Sequence, residues 1–435
     1  MNTIKIIAVL CCCTACLAFG QPPTSGTNQP SDDPGPAQFQ YRTALSPAGL
    51  LKIVRQPPPM SFGRRPITSL PIYNPENTDN PFQVDLRSRD LGGLDLGDRL
   101  SDLWHASFDN GTQWPKTLPV EFNPAQIMEL GKDPGLGVRQ LHARGVTGKG
   151  VGIGIIDQTL LVNHTEYAGR LRLYEEIHNL ENDAQMHGPA VASIAVGKTV
   201  GVAPDADLYY IAETHGVIRG NEFDWDFTWV AQSIDRLLEV NASLPKERKI
   251  RVISISVGWG PKQKGYAEVM GAVRRAGKQG VFVISTSLEQ THDLAFHGLG
   301  RNPVALPNTA ASYCPGSWWA GYFWKHPRRF TAKPRLLVPM DSRCTASPTG
   351  PDDYVFYAGG GWSWSVPWIA GLYALACQAQ PDITPETFWA AAMKTGDTIH
   401  ISKDKQETDF GVIANPVALI ENLQKNRQGG SHKPE

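Results

Sequence analysis

The chain has 435 residues, with 41 Lys and Arg against 42 Asp and Glu, so its formal net charge is −1. This length allows one large domain or two ordinary ones, and the apolar residues are numerous enough to build a sizeable core. The balanced charge gives no support to a nucleic-acid-binding surface or to a polybasic membrane-binding patch.

The first twenty residues differ in composition from the rest of the chain. One lysine precedes an apolar run over residues 6–19, and Ala18-Phe19-Gly20 offers a cleavage site of small residues. This pattern predicts a signal peptide at residues 1–20, because the apolar run is too short for a membrane span. A lipid anchor on Cys16 remains an alternative, although Cys13 stands where such a site usually has leucine. We therefore expect a protein that is secreted or held in the cell envelope.

Residues 21–115 are rich in scattered prolines, including Pro57-Pro58-Pro59, and have no sustained helical or strand period. This composition favours a flexible or loosely folded Pro-rich N-terminal extension. A propeptide that assists folding or blocks the active site remains the alternative. We expect the folded domain to occupy residues 116–425, followed by a polar tail at residues 426–435.

From about residue 137, short apolar runs alternate with longer helical patterns. We predict strands at Val151–Ile156, Leu208–Ile211, Val252–Ser256 and Val281–Ser285, and helices at Pro189–Val196, Phe227–Asn241, Tyr266–Gln279 and Ser363–Gln380. Short apolar strands separated by helices imply an α/β fold with a parallel sheet and helices on both faces. In such sheets, functional residues collect at the carboxyl ends of the strands.

Two residues of these elements have side chains suited to acid–base chemistry. Asp157 directly follows the apolar run 151–156, so we expect it at the carboxyl end of a buried strand, where a carboxylate could orient a histidine. A turn aspartate that only closes the strand is the alternative. His187 precedes Gly188-Pro189 and a stretch of small apolar residues, which predicts a helix start. A structural histidine is the alternative there.

Ser363 follows three glycines, Gly359–Gly361, and precedes the run Trp368–Ala376, which is apolar on every face and indicates a buried helix. The N terminus of such a helix favours a developing oxyanion. A serine that only caps the helix is the alternative. Asp157, His187 and Ser363, in this order, form a known arrangement for nucleophilic catalysis, in which a base takes the serine proton and a third group orients the base.

Three motifs occur in order along the chain. They are Gly148-Lys149-Gly150-Val151 with Ile155-Ile156-Asp157, then His187-Gly188 with Gly201-Val202-Ala203-Pro204, then Gly361-x-Ser363-x-Ser365-x-Pro367-x-x-Ala370-Gly371. Together they resemble the subtilisin-like serine peptidase family, over about residues 137 to 380. The resemblance implies a subtilisin-like fold and a serine endopeptidase that hydrolyses a polypeptide substrate through an acyl-enzyme. It also implies that Asp157, His187 and Ser363 are the catalytic triad.

The resemblance extends to a substrate-binding strand. Ile253–Gly258 is similar to the segment that pairs with the extended substrate backbone, which implies that Ser256, Val257 and Gly258 bind substrate. Trp259 stands where the family usually has a second glycine, and it could narrow the first specificity pocket.

The oxyanion hole departs from the family pattern. Counting from Gly280, Glu289 occupies the position at which the family places a donor asparagine. An ionised carboxylate would repel the oxyanion, and loss of one donor typically costs roughly 10²–10³ in turnover. Three explanations stay open: a protonated Glu289 that donates at acidic pH, donation by Gln290 or Ser287, or poor catalysis. A peptide-binding pseudopeptidase is therefore the alternative function.

The remaining expectations concern cysteines, ligands and partners. Cys314 and Cys344 are expected to form a disulfide, which an exported protein can hold, and Cys377 is expected to be a buried free thiol. The spacing of His, Cys and acidic residues predicts no metal site, and no cofactor is expected. We expect a monomer without a transmembrane helix, whose partner is its polypeptide substrate.

Overall fold

A computed structural model describes most of the chain. It covers residues 39–43, 52–63, 65–77, 82–220, 222–317, 319–403 and 406–430. The predicted signal peptide, Cys16, the beginning of the extension and the end of the polar tail lie outside the described residues.

The described residues form short strands and helices that alternate along the domain. The strands are β1 (Phe39–Tyr41), β2 (Arg65–Pro66), β3 (Val84–Asp85), β4 (Arg89–Asp90), β5 (Ala106–Asp109), β6 (Gly152–Asp157), β7 (Leu171–Asn179), β8 (Asp207–Ala212), β9 (Gly216–Arg219), β10 (Glu222–Trp225), β11 (Ile250–Ile255), β12 (Phe282–Ser285), β13 (Phe296–Arg301), β14 (Tyr313–Pro315), β15 (Leu336–Pro339), β16 (Arg343–Ala346), β17 (Tyr354–Tyr357), β18 (Asp397–Lys403) and β19 (Gln406–Ile413). The helices are α1 (Leu100–Leu103), α2 (Pro124–Gly131), α3 (Val138–Ala143), α4 (His187–Val196), α5 (Thr228–Ser243), α6 (Tyr266–Lys278), α7 (Leu288–His292), α8 (Ala320–Lys325), α9 (Pro327–Thr331), α10 (Trp362–Ala379), α11 (Pro385–Thr395) and α12 (Pro416–Gly430), with 3-10 turns at Lys246–Arg248 and Ala310–Ser312.

The central sheet has the strand order β1-β7-β8-β6-β11-β12. The strands from β7 to β12 pair in parallel, and β1 joins the edge antiparallel. Every residue of β6 is buried, which requires cover on both faces of the sheet. Residues of α4 and α10 pack in the core on one face, and residues of α5 and α6 pack in the core on the other. The predicted α/β fold class, with a parallel sheet between layers of helices, is confirmed.

Helix α10 is the central buried helix that the apolar run predicted. Sixteen of its eighteen residues are buried. Pro367 lies inside the helix and not in its first turn. In the described ranges, no helix combines the length and the apolar character needed to cross a bilayer.

A second sheet of five strands lies beside α10, with the order β14-β13-β15-β19-β18. Strand β15 pairs in parallel with both β13 and β19, and β18 and β19 form an antiparallel pair. Pro339, the last residue of β15, contacts α10. Its carbonyl oxygen accepts a hydrogen bond from Ser365 Oγ at 3.4 Å. The second sheet therefore supports the helix that carries Ser363.

Residues 82–115 are packed against the domain. Strand β5 lies between β3 and β17 in a four-stranded sheet, so β5 pairs directly with a strand from the C-terminal half of the chain. Leu86 and Phe108 share a third core with Phe356, and the Phe108 and Phe356 ring centroids are 5.2 Å apart. This part differs from the expected loose extension because its scattered apolar residues find a common core. The domain boundary at residue 115 stays a prediction.

The predicted Cys314–Cys344 disulfide is wrong, because Cys314, Cys344 and Cys377 are all free. Cys344 lies in the third core with its Sγ 3.2 Å from Met128 Sδ, whereas Cys314 lies on β14 of another sheet. Cys377 is a buried free thiol, as expected, and burial raises its pKa to about 12.

Candidate active site

Asp157 and His187 meet at the carboxyl end of the central sheet. Asp157 is the last residue of β6, and His187 is the first residue of α4. His187 Nδ1 donates a hydrogen bond to Asp157 Oδ1 at 2.7 Å. The Asp157 side chain is 4% exposed and that of His187 is 13% exposed, so water competes little for this bond. With the proton held on Nδ1, the Nε2 atom is left as an acceptor.

A glycine allows this contact. At Gly188, a Cβ atom would lie 2.5 Å from the Gln158 carbonyl oxygen and 2.6 Å from Tyr210 Oη. Such distances exclude any larger residue unless the backbone shifts. Helix α4 therefore begins against the end of β6, and His187 reaches Asp157.

Ser363 is the second residue of α10 and is 2% exposed. Its hydroxyl donates to the Ser256 carbonyl oxygen at 3.2 Å, and the Ser256 hydroxyl donates to the Ser363 carbonyl oxygen at 3.0 Å. The second bond has a simple cause. Pro367, four residues along the helix, has no N–H group to donate to the Ser363 carbonyl. Ser256 thus satisfies the carbonyl that the proline leaves open.

The tryptophan after Ser363 lies against the histidine. The Trp364 and His187 ring centroids are 5.2 Å apart with an interplanar angle of 43°. Trp364 is 2% exposed and also packs edge-on against Tyr357. The structure therefore brings the N-terminal turn of α10 beside the Asp157–His187 pair.

The predicted substrate-binding residues directly follow β11. Ser256 and Val257 are each 8% exposed, and the Val257 carbonyl accepts a hydrogen bond from the Thr286 N–H at 3.3 Å. Trp259 is 3% exposed, and its narrowing of the specificity pocket stays a prediction. Its buried ring packs against Phe227 in the core beneath α5 and α6, with centroids 5.9 Å apart.

Glu289 lies on α7 with its side chain 50% exposed. Its carboxylate accepts a hydrogen bond from Lys333 Nζ at 3.0 Å, and the same ammonium donates to Asp293 at 2.8 Å. Ser287, one of the alternatives, accepts from the Trp259 N–H at 2.8 Å and donates to the Trp259 carbonyl at 2.9 Å. Both groups already have partners, and the oxyanion role of Glu289 stays a prediction.

Asp341 was not found from the sequence, although it contacts the loop before Ser363. This carboxylate follows β15, and it accepts hydrogen bonds from the Gly360 N–H at 2.7 Å and the Ser317 N–H at 2.9 Å. Burial raises the pKa of Asp341 to about 6. An aspartate that follows an apolar run is the pattern that identified Asp157, so the same signal could have found Asp341.

A buried carboxylate next to Asp157 was also missed. Glu213 follows β8, its N–H donates to the Asp157 carbonyl at 2.8 Å, and its Oε2 accepts from His215 Nδ1 at 2.7 Å. Burial raises the pKa of Glu213. Strands β6 and β8 are neighbours in the central sheet, so Asp157 and Glu213 lie close together at the carboxyl ends of adjacent strands.

Comparison with known families identifies the family to which this chain belongs. The model of the Subtilase family matches residues 148–412, which is more than half of the chain. The chain belongs to the subtilase family. This confirms the predicted resemblance and supports a serine-peptidase function in general.

Relatives of this subtilase are distant and match only in part. The Subtilisin-like protease PopC of Myxococcus xanthus (strain DK1622) is 29% identical over 135 residues, which cover 28% of each chain. An Extracellular serine protease of Serratia marcescens is 43% identical over 79 residues, covering 15% of this chain and 8% of that protein. The matches thus span less than a third of the length of these relatives.

Two solved structures resemble this subtilase at low similarity. The structure of the prenylagaramide maturation protease PagA has a TM-score of 0.45 and 16% identity, covering 66% of this chain and 98% of that chain. The PatG macrocyclase domain has a TM-score of 0.44 and 14% identity, covering 66% of this chain and 94% of that chain.

Proposed function

We propose that this subtilase is a secreted serine endopeptidase that uses Asp157, His187 and Ser363 as its catalytic triad. The observation that carries the proposal is the 2.7 Å hydrogen bond from His187 to Asp157, beside the N-terminal turn of α10 that holds Ser363. A buried carboxylate that fixes one imidazole nitrogen leaves the other to act as a base.

The serine must change its hydrogen bond before it reacts. In the free protein, the Ser363 hydroxyl donates to the Ser256 carbonyl. Rotation about the Cα–Cβ bond would redirect this hydroxyl to His187 Nε2, and catalytic hydrogen bonds often form fully only when substrate is bound. Ser363 Oγ would then attack the peptide carbonyl while His187 takes its proton, and Asp157 would stabilise the imidazolium.

The leaving amine receives the proton from His187, and water hydrolyses the acyl-enzyme. Charge develops on the carbonyl oxygen during both steps. The first-turn N–H groups and the positive end of the α10 dipole would stabilise that oxyanion. We infer that this helix terminus carries most of the oxyanion stabilisation, since Glu289 is paired with Lys333.

A serine-directed fluorophosphonate tests the proposed nucleophile. We expect covalent labelling of the purified protein, and loss of labelling in Ser363→Ala. Ser365→Ala is the matched control, because Ser365 lies on the same helix, is also buried, and its hydroxyl donates to the Pro339 carbonyl. This control should keep both the labelling and the hydrolysis of an unstructured polypeptide such as casein.

Equal labelling of the parent protein and of Ser363→Ala would refute the assignment. Absence of any labelling between about pH 4 and 9 would favour the peptide-binding alternative, provided that circular dichroism shows a folded protein.

A further inference from the structure

Arg343, the first residue of β16, has a guanidinium group enclosed within the protein. The residue is 3% exposed. Its Nε, Nη1 and Nη2 atoms are buried, and no group in the described part of the chain accepts a hydrogen bond from them. A guanidinium has five N–H donors, and polar groups left unpaired in an apolar interior cost roughly several kcal/mol.

Two other enclosed arginines of this protein have carboxylate partners. Arg87 donates to Asp85 at 2.8 Å, and Arg236 donates to Glu175 at 2.8 Å. These pairs follow the general rule that buried charges are neutralised by a neighbour of opposite sign. Arg343 has no such neighbour within hydrogen-bonding distance among the described residues.

A second cation lies beside Arg343. Arg301, at the end of β13, is 6% exposed and donates to main-chain carbonyl oxygens, among them Ser342 O at 2.6 Å and Asn302 O at 3.2 Å. Carbonyl groups satisfy its N–H donors but do not cancel its charge. Burial, together with the charge of Arg301, lowers the pKa of Arg343 to about 10, so the group is still positive at neutral pH.

The surrounding titratable groups do not balance these two charges. Asp133 is the carboxylate that acts on both arginines, and it also lies 3.7 Å from the Arg139 guanidinium. Tyr313 is neutral, because burial raises its pKa to about 12, and burial raises the pKa of the Cys344 thiol as well. At least one buried positive charge therefore remains without a counterion in the described residues.

We propose that Arg343 and Arg301 form a binding site for a small monovalent anion, of the size of chloride or formate. The charge balance requires one negative charge, and the near-complete burial of both residues admits only a small ion. Planar guanidinium donors hold such anions by charge-assisted hydrogen bonds. This site is separate from the proposed triad and does not depend on catalytic activity.

Thermal unfolding at constant ionic strength tests the site. We expect the melting temperature to rise when chloride replaces gluconate, an anion too large to be enclosed. An anion that binds only the folded state stabilises it in proportion to the logarithm of the anion concentration. For a chain of this length, this corresponds to a rise in melting temperature of about 3 °C at a hundredfold excess over the Kd. A parallel series in sodium formate distinguishes a halide site from one that also takes a small carboxylate.

Two variants sharpen this measurement. Arg343→Met should lose the anion response and should be at least as stable as the parent in gluconate, because an unpaired buried charge is replaced by an apolar chain. Arg87→Met, which breaks the ion pair between Arg87 and Asp85, should be less stable than the parent but should keep the response of its melting temperature to the anion. A bromide-soaked crystal should show an anomalous scattering peak beside Arg343, a readout that needs no variant.

Three results would overturn the proposal. One is an equal melting temperature in chloride, formate and gluconate. Another is the same loss of stability for Arg343→Met in every salt, which would assign the guanidinium a purely structural role. The third is a bromide-soaked crystal without anomalous density at Arg343.

Discussion

Single side chains replace backbone hydrogen bonds around Ser363. Ser256 bonds the carbonyl that Pro367 leaves without a donor, and Asp341 bonds the Gly360 N–H in the loop before α10. These bonds hold a loop of three glycines, whose backbone would otherwise be the most flexible near the site. Positioning of the proposed nucleophile thus depends on two polar residues outside the triad.

The raised pKa of Asp341 predicts a pH dependence of stability. Its folded pKa is about 6, against an ordinary value of 3.8, because burial disfavours the charged form. The pKa of Asp341 is higher in the folded protein than in the unfolded chain, so the folded state holds the proton more tightly. This stabilises the folded state fully below about pH 4, and the stabilisation, about 3 kcal/mol, is lost as the pH rises through 6. The unfolding free energy of the parent, relative to Asp341→Asn, should therefore fall between pH 4 and pH 7 in urea titrations.

A control for that measurement is Asp98→Asn, which removes an exposed carboxylate. The difference between this variant and the parent should be nearly the same at both pH values. If Asp341→Asn also shows a constant difference, the raised pKa of Asp341 is contradicted.

The Lys333 pairing predicts a small effect of Glu289 on turnover. Because its half-exposed carboxylate is bound to an ammonium, Glu289→Gln should change kcat by less than about threefold, far below the roughly 10²–10³ typical of an oxyanion-hole donor. Steady-state kinetics with a chromogenic peptide at pH 5 and pH 8 measure this. A gain or loss of a hundredfold at either pH would return Glu289 to the oxyanion hole.

Sequence patterns identified Asp157, His187 and Ser363 as candidates, because each stands at the end of a clearly apolar element. The partners of Ser363 could not be found in this way. Ser256 bonds Ser363 and Asp341 bonds Gly360 in the preceding loop, and both contacts arise only through the packing of β11 and β15 against α10. The pairing of Glu289 with Lys333 was equally hidden, since it depends on where α9 ends.

At the scale of elements, α4 and α10 approach each other closely. A Cβ atom at Gly371 would lie 2.6 Å from Val202 Cβ and 3.2 Å from the Ala195 carbonyl oxygen of α4. The two helices carry His187 and Ser363 at their N-terminal ends. Their spacing therefore sets the relative position of the two side chains.

Gly371→Ala should separate the helices and destabilise the protein by roughly 1–3 kcal/mol, the usual cost of overpacking. The matched control is Gly277→Ala on α6, where a Cβ atom has no neighbour within 4 Å. That change should raise stability by up to about 1 kcal/mol, because alanine is the better helix former. Chemical denaturation measures both, and equal effects of the two substitutions would contradict the packing argument.

The four strands and four helices predicted from apolar periodicity all occur, with ends within two residues of those expected. Strand β7 was missed because Glu175 and Glu176 interrupt its apolar pattern. Both side chains are buried and paired with arginines, Arg236 and Arg55, that are remote in sequence. These ion pairs form only in the tertiary structure, so no local sequence pattern predicts them.

At the scale of the whole molecule, residues 82–115, which precede the predicted boundary, pack with the domain. Strand β5 pairs with β17 along its edge, and the Phe108 ring packs on the Phe356 ring. Neither strand has an alternative partner on that side in the four-stranded sheet. Removal of β5 would expose an unpaired strand edge and apolar surface, which promotes aggregation.

A chain that begins at residue 116 should therefore give little soluble protein, whereas one that begins at residue 39, which keeps β1 and the Arg55–Glu176 ion pair, should fold. Soluble yield and the near-ultraviolet circular dichroism spectrum measure the difference. Mass spectrometry of the mature protein should accordingly find an N terminus before Val84. A mature form cut near residue 115 with full activity would contradict this prediction and support a removable propeptide.

The pairing of β5 with β17 joins residues about 250 positions apart in the sequence. Such distant pairings form slowly, because the long intervening loop must close first. Only four residues separate β17 from the first residue of α10. We therefore expect the loop before Ser363 to become ordered only after β5 has paired with β17. Any peptidase activity would then arise as one of the last events of folding, after most of the chain has been made.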